Sequence, residues 1–434
     1  MREVDVALVG AGGAGLSVLT GLDRLVTAAR AVGRDVAVPS IVLVDPVSHA
    51  GQDRTWCFWD DGGSSDVEAC VHRAWRRVEL RGRDGRAHLL DLAPMRYVMV
   101  RSGDFYAFAD AAAARLGAAR IVAGVDAVRD GEDRAYLLTA SGEVIAARWV
   151  LDSRPAPPAR PARTSWLQHF RGWTVRFGED VVDPDVPVLM DFAPPQPDRG
   201  VAFGYVLPLD ARRALVEYTE FSPARLPGPA YEAALRAYLS ARWGARVARS
   251  VRIEAVEDGA IPMTDAVHAR RAGRRVFRIG TAGGATRPST GYTFAALQRQ
   301  GAAVAAALLA GREPLPPRPY PARHQWMDAV LLAGLDRGYI CGADLLTHLF
   351  DANAPQRVLR FLDGASTPAE ELALMRTAPT AAMTRASAAD AVARLRGAAL
   401  GGGWTVRRWQ DRAAGAVTGL SPGQPTAGPP TRGP

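Results

Sequence analysis

The hydrophobic pattern at the start of the chain predicts a strand, a turn, a helix and a second strand. Residues 4–9 form a short apolar run typical of a buried strand, and residues 16–32 carry apolar side chains at helical spacing. A segment of glycine and alanine separates them, and the apolar run at 41–44 is followed by Asp45. This order predicts a β-α-β unit at the N-terminus.

The order of predicted strands and helices changes at a Pro-rich segment, residues 154–158, which we take as a domain boundary. Before it, strand patterns surround one helix at 104–116, and after it they follow one another like a meander, with a helix at 231–243. The predicted strands are 77–80, 87–90, 121–125, 135–140 and 144–151 before the boundary, and 166–177, 186–191, 201–207, 213–220 and 251–257 after it.

The last third of the chain predicts a return to the first domain and then a helical region. A strand at 275–279 runs into a second glycine-rich turn and an Ala-rich helix that begins near Thr293. Spacing is helical from 322 to about 395, and 421–434 lacks apolar periodicity. The predicted segments are 1–155 and 271–315 for one α/β domain, 156–270 for a mixed second domain, 316–420 for a helical C-terminal cap and 421–434 for a disordered tail.

Composition excludes a disordered or fibrous chain. Of the 434 residues 48% are hydrophobic and 23% charged, which supplies more apolar surface than one minimal core needs. The three cysteines, Cys57, Cys70 and Cys341, form no disulfide framework and no paired metal-ligand spacing, which favours a reducing compartment. With neither a secretory signal nor an apolar run long enough to span a bilayer, we expect a cytoplasmic location.

The formal net charge is +8, and all 53 basic residues are arginine. A GC-rich genome explains the choice of arginine, yet each one near an anionic membrane surface still contributes about 1 kcal/mol of attraction. We therefore expect peripheral membrane contact. We expect no nucleic-acid partner, because aromatic and basic residues do not alternate as in single-strand binders. Asp344 and His348 lie one helical turn apart without further ligands, so we also expect no metal.

Three glycines in the first turn point to a dinucleotide. Gly10, Gly12 and Gly15 form G-x-G-x-x-G between a predicted strand and helix. Such glycines permit a tight turn, the approach of a pyrophosphate and close helix–strand packing, and the phosphates lie at the helix N-terminus. Asp45, at the end of the second strand, can accept hydrogen bonds from ribose hydroxyls. The alternative is a purely structural turn.

The second glycine-rich turn favours FAD over NAD. A hydroxylase-type flavin fold returns to its first domain through such a turn, and residues 280–292 fit that role, with Gly280 and Gly291 as cofactor-binding candidates. Thr281 stands where such enzymes usually carry Asp. Arg101 is either a cofactor-side arginine or an ordinary surface one. The predicted fold is α/β, a Rossmann-type, hydroxylase-like FAD domain interleaved with a mixed α+β substrate domain and covered by the helical cap.

Several further segments resemble the bacterial FAD-dependent lycopene cyclase family, in the order and spacing of that family. They are DRTWCFW at 53–59, MD at 190–191, LVEYTEFS at 215–222, IPM at 261–263 and PSTGY at 288–292. The resemblance covers roughly the first three hundred residues. It implies closure of the acyclic ends of lycopene into rings, without net redox change, beside reduced FAD that NAD(P)H supplies with electrons.

The resemblance assigns the essential carboxylate to Glu217. Because side chains alternate along a strand, Glu217 and Thr219 share one face and Glu220 the other. Burial would raise the pKa of Glu217 and make it a usable acid; the alternative is an edge-strand glutamate in water. Asp191 either assists in the same cavity or supports a turn.

Aromatic residues of the same segments are candidates for a polyene tunnel. Trp56, Phe58 and Trp59 would line it together with Tyr292, and their faces would stabilise a cation. Ordinary core packing is the alternative. On the same scaffold the rival enzymes are a flavin monooxygenase or halogenase and a polyprenyl reductase, and a carrier of flavin or carotenoid is the rival that is not an enzyme.

Overall fold

The structure is a computed structural model that describes residues 1–49, 51, 54–60 and 67–399. The predicted tail at 421–434 and Asp53 of the DRTWCFW segment lie outside the described residues.

Among these residues strands predominate up to Arg278, with three α-helices between them, and α-helices follow from Phe294 on. In chain order the strands are β1 (Arg2–Val9), β2 (Ile41–Asp45), β3 (Thr55–Asp60), β4 (Val71–Trp75), β5 (Arg77–Arg81), β6 (Ala87–Asp91), β7 (Arg96–Arg101), β8 (Ala119–Val122), β9 (Val125–Arg129), β10 (Ala135–Thr139), β11 (Val144–Asp152), β12 (Ser165–Arg176), β13 (Val188–Asp191), β14 (Val201–Asp210), β15 (Arg213–Ser222), β16 (Arg252–Thr264) and β17 (Val276–Arg278). The α-helices are α1 (Gly13–Ala31), α2 (Ser102–Leu116), α3 (Gly228–Ser250), α4 (Phe294–Leu309), α5 (Ala322–Asp336), α6 (Gly342–Ala352), α7 (Pro355–Leu362), α8 (Pro368–Thr377) and α9 (Thr380–Ala399).

The N-terminal pattern builds a mostly parallel sheet with β1 near its centre. Its strand order is β8-β2-β1-β11-β10-β9, and β17 adds to β11, so the chain does return to its first domain. The strands β8, β2, β1, β11 and β17 are parallel to their neighbours, whereas β10 and β9 extend the sheet antiparallel. The predicted strand at 121–125 is two strands, because the chain leaves β8 at Val122 and enters β9 at Val125.

The second sheet is antiparallel except at one pair and has the order β16-β12-β15-β14-β13-β5-β6. The parallel pair joins β13 to β5, with Met190 opposite Leu80. The segment 1–155 is therefore not one spatial unit: β5 and β6, which belong to it by sequence, complete the second sheet. Strand pairing between residues more than a hundred positions apart produces this exchange, and local periodicity carries no signal of it.

The two faces of the second sheet are covered differently. Helix α3 packs on one face, around a core that includes Tyr231, Leu235 and Leu239. On the other face the apolar residues join those of the small sheet β3-β7-β4 and of helices α5 to α9 in one continuous core. The first helical part of α3 ends where the sequence predicts, at 243, because Gly244 at φ +83° is not helical; a second helical part then continues to Ser250.

Helices α1 and α4 of the first domain touch backbone to backbone at Gly301. A Cβ built on Gly301 would lie 2.6 Å from the carbonyl carbon and oxygen of Ser17. We expect Gly301→Ala to lower the melting temperature, because this clash costs about 1–3 kcal/mol or more, against about 1 kcal/mol that alanine gains in helix propensity. Thermal unfolding of the Gly301→Ala variant and of the unchanged protein measures the difference in melting temperature.

The control adds methyl groups on the exposed side of the same helix. Ala306 is exposed, on the side of α4 that faces away from α1. Ala306→Val should therefore leave the melting temperature within about 1–2 °C, as surface substitutions usually do. Equal melting temperatures for Gly301→Ala and the unchanged protein would contradict the contact.

Candidate functional site

A continuous cavity of about 1010 Å³ joins the three regions of the fold. At one end it is lined by the two glycine-rich turns of the first domain, and in the middle by the face of the second sheet that is turned away from α3. Residues of α5, α8 and α9 line its other end, among them Trp326, Met375 and Met383. The cavity is therefore bounded by elements that are far apart in the sequence.

The first glycine turn leaves its backbone open to the cavity. Gly10 has φ +98°, and a Cβ on Gly15 would lie 2.2 Å from the Gly10 carbonyl oxygen, so only glycine fits at residue 15. A Cβ on Gly12 would meet no atom within 4 Å. Helix α1 starts at Gly13 without a side-chain cap. Its first amides are thus placed to receive an anion such as a pyrophosphate.

Asp45 lies beside this turn as a charged group. Its carboxylate accepts hydrogen bonds from the backbone N–H groups of Ala11, at 2.7 Å, and Val47, at 2.8 Å. Burial opposes ionisation, but the hydrogen bonds from His49 and from these amides outweigh it and lower the pKa of Asp45. A carboxylate at this position of the cavity wall can accept hydrogen bonds from hydroxyl groups of a ligand.

The second glycine turn meets the first directly. A Cβ on Gly280 would lie 2.8 Å from the Ala14 Cβ, and both Gly280 and Thr281 line the cavity. The Thr281 hydroxyl lies 2.8 Å from that of Thr286. Gly291 also lines the cavity, and its φ of +69° together with the nearby Gln168 side chain makes glycine necessary there. Of the seven predicted turn and ribose-side residues, six line this one cavity, and Gly15 instead packs against the Gly10 carbonyl.

The sheet face carries two glutamates side by side. Glu217 of β15 and Glu257 of β16 are both register partners of Gly172 on the intervening strand β12, and Tyr205 of β14 pairs with Glu217 on its other side. A Cβ on Gly172 would lie 2.9 Å from the Glu217 Cγ and 3.1 Å from the Glu257 Cγ. Other residues of this sheet that line the cavity are Gln168, Phe170, Leu189, Met190, Val201, Phe203, Thr219, Phe221, Asp258, Gly259, Ala260, Ile261 and Pro262.

Glu217 is a buried acid. Burial raises its pKa well above the usual value, and the neighbouring Glu257 raises it further through its charge and a hydrogen bond. The Cys57 thiol and the hydroxyls of Tyr97 and Tyr205 complete the surroundings, and the two tyrosine hydroxyls are hydrogen-bonded to each other. The face therefore presents a carboxyl group with a raised pKa to an otherwise largely apolar cavity.

Glu220 shows the strand alternation predicted from the sequence. Its side chain lies on the α3 side of the sheet, where it accepts a hydrogen bond from the Tyr218 hydroxyl at 3.3 Å. It is buried like Glu217 but does not line the cavity. The strand thus holds two buried glutamates on opposite faces.

The structure corrects the placement of Asp191. Its carboxylate does not line the cavity but accepts a hydrogen bond from the Tyr238 hydroxyl of α3 at 3.0 Å, with Arg242 at 3.7 Å. The reason is an irregularity in the pairing of β13 with β14 and β5, which breaks the alternation of side chains. Asp191 therefore has a structural role between the sheet and α3.

Arg101 and two of the aromatic residues are corrected as well. Arg101 does not line the cavity; its charge and, more strongly, burial lower the pKa of His72. Phe58 packs on Phe294 and Trp59 on Tyr97 in the cores, so neither forms part of the cavity wall. Successive residues of β3 point to opposite faces, so Phe58 and Trp59 lie in two different cores.

Trp56 and Tyr292 do line the cavity. Trp56 stacks on Phe294 with ring centroids 5.0 Å apart, and its indole lies near Gly13 of the first turn. Tyr292 follows Gly291 and packs edge-on against Trp59, with centroids 4.8 Å apart. Trp56 therefore stands at the dinucleotide end of the cavity rather than deep within its apolar part.

Sequence reasoning missed Glu257. It was placed at the end of a short predicted strand, whereas β16 continues to Thr264 and carries it in its middle. One signal was present: glycine in a strand interior marks a close approach of other groups, and both Gly172 and Gly259 lie within strands of this face. No local pattern, however, links residue 257 to residue 217.

The family is decided by the sequence match. The model of the lycopene cyclase protein family matches residues 5–388. The chain belongs to the lycopene cyclase protein family. None of the curated proteins compared with it matches its sequence significantly.

Solved structures show how widely the fold of this family member is shared. A geranylgeranyl bacteriochlorophyll reductase-like protein from Thermoplasma acidophilum superposes with a TM-score of 0.61 at 16% identity, covering 87% of this chain and 97% of that one. A flavoprotein/dehydrogenase from Cytophaga hutchinsonii gives 0.58 at 13% (91% and 100% covered), and a p-nitrophenol 4-monooxygenase from Pseudomonas putida gives 0.55 at 14% (90% and 99%). The predicted Rossmann-type, hydroxylase-like fold is confirmed.

Two further observations concern the described residues only. None of their helices is long and apolar enough to cross a bilayer. Within the same residues no group of three or more His, Cys, Asp and Glu side chains is arranged to hold a metal ion; His348 instead lies 2.7 Å from the Thr377 carbonyl oxygen.

The cavity wall makes Cys57 a poor nucleophile. Burial, with the nearby Glu217 and Glu257, raises the pKa of Cys57 to about 12. In iodoacetamide at pH 8 we expect Cys57 to be alkylated at least about 100-fold more slowly than the exposed Cys341, because only the thiolate reacts. Peptide mass spectrometry over time measures both rates, and alkylation at similar rates would show that Cys57 lies in a wetter site.

Proposed function

We propose that this member of the lycopene cyclase protein family is a lycopene β-cyclase. It would convert the acyclic ends of lycopene into β-ionone rings, by way of γ-carotene to β-carotene, as an intramolecular lyase or isomerase. The observation that carries the proposal is the buried Glu217, a carboxyl group with a raised pKa on the wall of a long, mainly apolar cavity. Protonation of an alkene needs such an acid in a place where water cannot quench the cation.

Glu217 is the acid of the proposed reaction. Its proton is transferred to the terminal double bond of the substrate, which leaves a tertiary cation. The neighbouring double bond of the chain attacks that cation and closes a six-membered ring, and loss of a ring proton then sets the β double bond. Aromatic residues on the same wall, among them Phe170, Phe203 and Phe221, support this step. Their ring faces stabilise a cation without forming a bond to it.

The glycine end of the cavity fits FAD. The first amides of α1 and the open backbone at Gly12 would hold the pyrophosphate, and Asp45 the ribose hydroxyls. The turn at Gly280 and Thr281 would face the remainder of the cofactor, with the Thr281 hydroxyl in place of a carboxylate. Reduced, anionic FAD, with NAD(P)H as reductant, would supply negative charge that stabilises a cation.

The experiment incubates the purified protein with lycopene in liposomes, under anaerobic conditions with FAD and NADPH. We expect a product of unchanged mass with a shifted, less structured absorption spectrum, and at least about a 1000-fold loss of that product in Glu217→Gln, which removes the acid. Chromatography with mass spectrometry and absorption detection measures both.

Glu220→Gln is the matched control, since it alters a buried glutamate of the same strand on the opposite face. It should keep activity within about tenfold if it folds, because it removes no proton donor from the cavity. A gain of two hydrogens would identify a reductase of polyprenyl chains, and a gain of oxygen in air a monooxygenase; either result would overturn the cyclase.

We also propose that the mouth of the cavity faces a membrane surface, where lycopene resides. Trp326 of α5 and Met375 of α8 line the cavity and are also 44% and 43% exposed, so the cavity reaches the surface beside them. Leu372, one helical turn from Met375, is 51% exposed, and Arg376 next to it is exposed as well. An apolar pair beside a cation suits an anionic leaflet.

Flotation with anionic liposomes tests this face. We expect the double variant Leu372→Asp, Met375→Asp to lower the membrane-bound to free ratio by about tenfold or more, since each side chain contributes about 1.5 kcal/mol when it leaves water. The control Tyr136→Asp, Leu138→Asp changes two exposed apolar residues of β10, on the first sheet. Equal losses in both double variants, or none, would contradict the proposed membrane face.

A further inference from the structure

A second carboxyl group lies beside Glu217 on the cavity wall, at the same level across the strands of the sheet. Glu257 is held by β16, whose pairing with β12 places it opposite Gly172, as β15 places Glu217 from the other side. The Thr55 hydroxyl donates a hydrogen bond to Glu257 Oε2 at 3.1 Å. Both glutamates line the same cavity.

Gly172 makes this approach possible. Any larger residue would place a Cβ within about 3 Å of both γ-carbons. Those are the inner ends of the side chains, which cannot move without turning the carboxyl groups elsewhere. A glycine in the middle of a strand weakens the sheet and often marks a place where other groups approach closely; here those groups are the side chains of Glu217, Glu257 and Leu215.

We propose that Glu217 and Glu257 form a carboxyl pair that holds one proton between them, with Glu257 as the positioning residue that keeps Glu217 protonated and directed into the cavity. The two carboxyl groups are within hydrogen-bonding reach of each other. Two carboxylates so placed in a water-poor site cannot both be ionised, so the first proton is retained above the usual pH range. The inference rests on the proposed function only where it concerns catalysis.

Other groups that face the pair do not replace this role. The Cys57 thiol of β3, the Tyr97 hydroxyl of β7 and the Tyr205 hydroxyl of β14 are neutral, since burial raises the pKa of each. Arg54, just before β3, lines the same cavity. Asp258, next to Glu257 on β16, also lines the cavity, but its carboxylate forms an ion pair with Arg171 at 2.8 Å.

The pair closes the proton balance of the proposed reaction. The O–H bond of Glu217 breaks as a C–H bond forms on the substrate, and both glutamates are then carboxylates beside the cation. The ring C–H bond later breaks, and its proton returns to the pair. The catalyst is restored, and no oxidant or reductant is consumed.

Infrared spectroscopy of the intact protein tests the pair directly. The band of a protonated carboxyl group, assigned by its loss in Glu217→Gln, should persist in the unchanged protein well above the usual titration range of glutamate. In Glu257→Gln the neighbouring charge is gone, so we expect the band to titrate at least about one pH unit lower. The high-pH limit of cyclisation should move down by a similar amount, with activity retained at lower pH.

Two more variants keep the test decisive. Glu254→Gln, on the same strand but exposed and paired with Arg176, should leave the titration unchanged. Gly172→Ala keeps both carboxyl groups but forces them apart, and should lower the titration midpoint as Glu257→Gln does. An unchanged midpoint in both Glu257→Gln and Gly172→Ala, or a band that titrates in the ordinary glutamate range, would overturn the pair.

The infrared result does not depend on turnover. If Glu257→Gln lowers the midpoint while the unchanged protein makes no cyclic product, the pair stands and the cyclase proposal fails. If cyclisation occurs but the midpoint does not move, the cyclase proposal stands and the pair fails.

Discussion

The site depends on the exclusion of water from one face of the second sheet. A carboxyl group in water is ionised at neutral pH, and only removal of water or a neighbouring negative charge keeps it protonated. Glu217 has both, because the first domain, the small sheet and helices α5 to α9 enclose the face on which it lies. The layered architecture is therefore what keeps water from this acid.

The same enclosure explains the interleaved path of the chain. One face of the second sheet must pack on α3, and there Asp191 and Glu220 are satisfied by Tyr238 and Tyr218. The other face must stay open enough for a ligand yet be covered. Because β5 and β6 from the first segment complete this sheet, and β17 returns to the first sheet, the chain crosses between the two domains several times. The cavity between them is built in rather than formed by loose contact.

Much of the site could be predicted from local sequence patterns. The residues that could not be predicted are those placed by pairing between strands distant in the sequence. The glycine turns and Asp45 follow from spacing, and the face of Glu217 follows from the two-residue period of a strand. Asp191 obeys the same period only until the pairing of β13 slips, which turns its side chain to α3. Glu257 is invisible for a related reason: its nearness to Glu217 exists only through β12, about 85 residues earlier in the chain.

The fold alone does not select the reaction, since it is shared with structures described as a reductase-like protein and a monooxygenase. In the proposed function, the residues that select the reaction lie on the face of the second sheet, opposite the glycine turns. Reduction or oxygen transfer consumes an external reagent with every turnover, and neither requires an acid kept protonated by its neighbour. A ring closure that returns its own proton requires that acid and a place to hold the proton between turnovers. In the proposed reaction the row Glu217, Gly172, Glu257 would meet both requirements, so the proposal places the selection on the sheet face rather than at the dinucleotide turn.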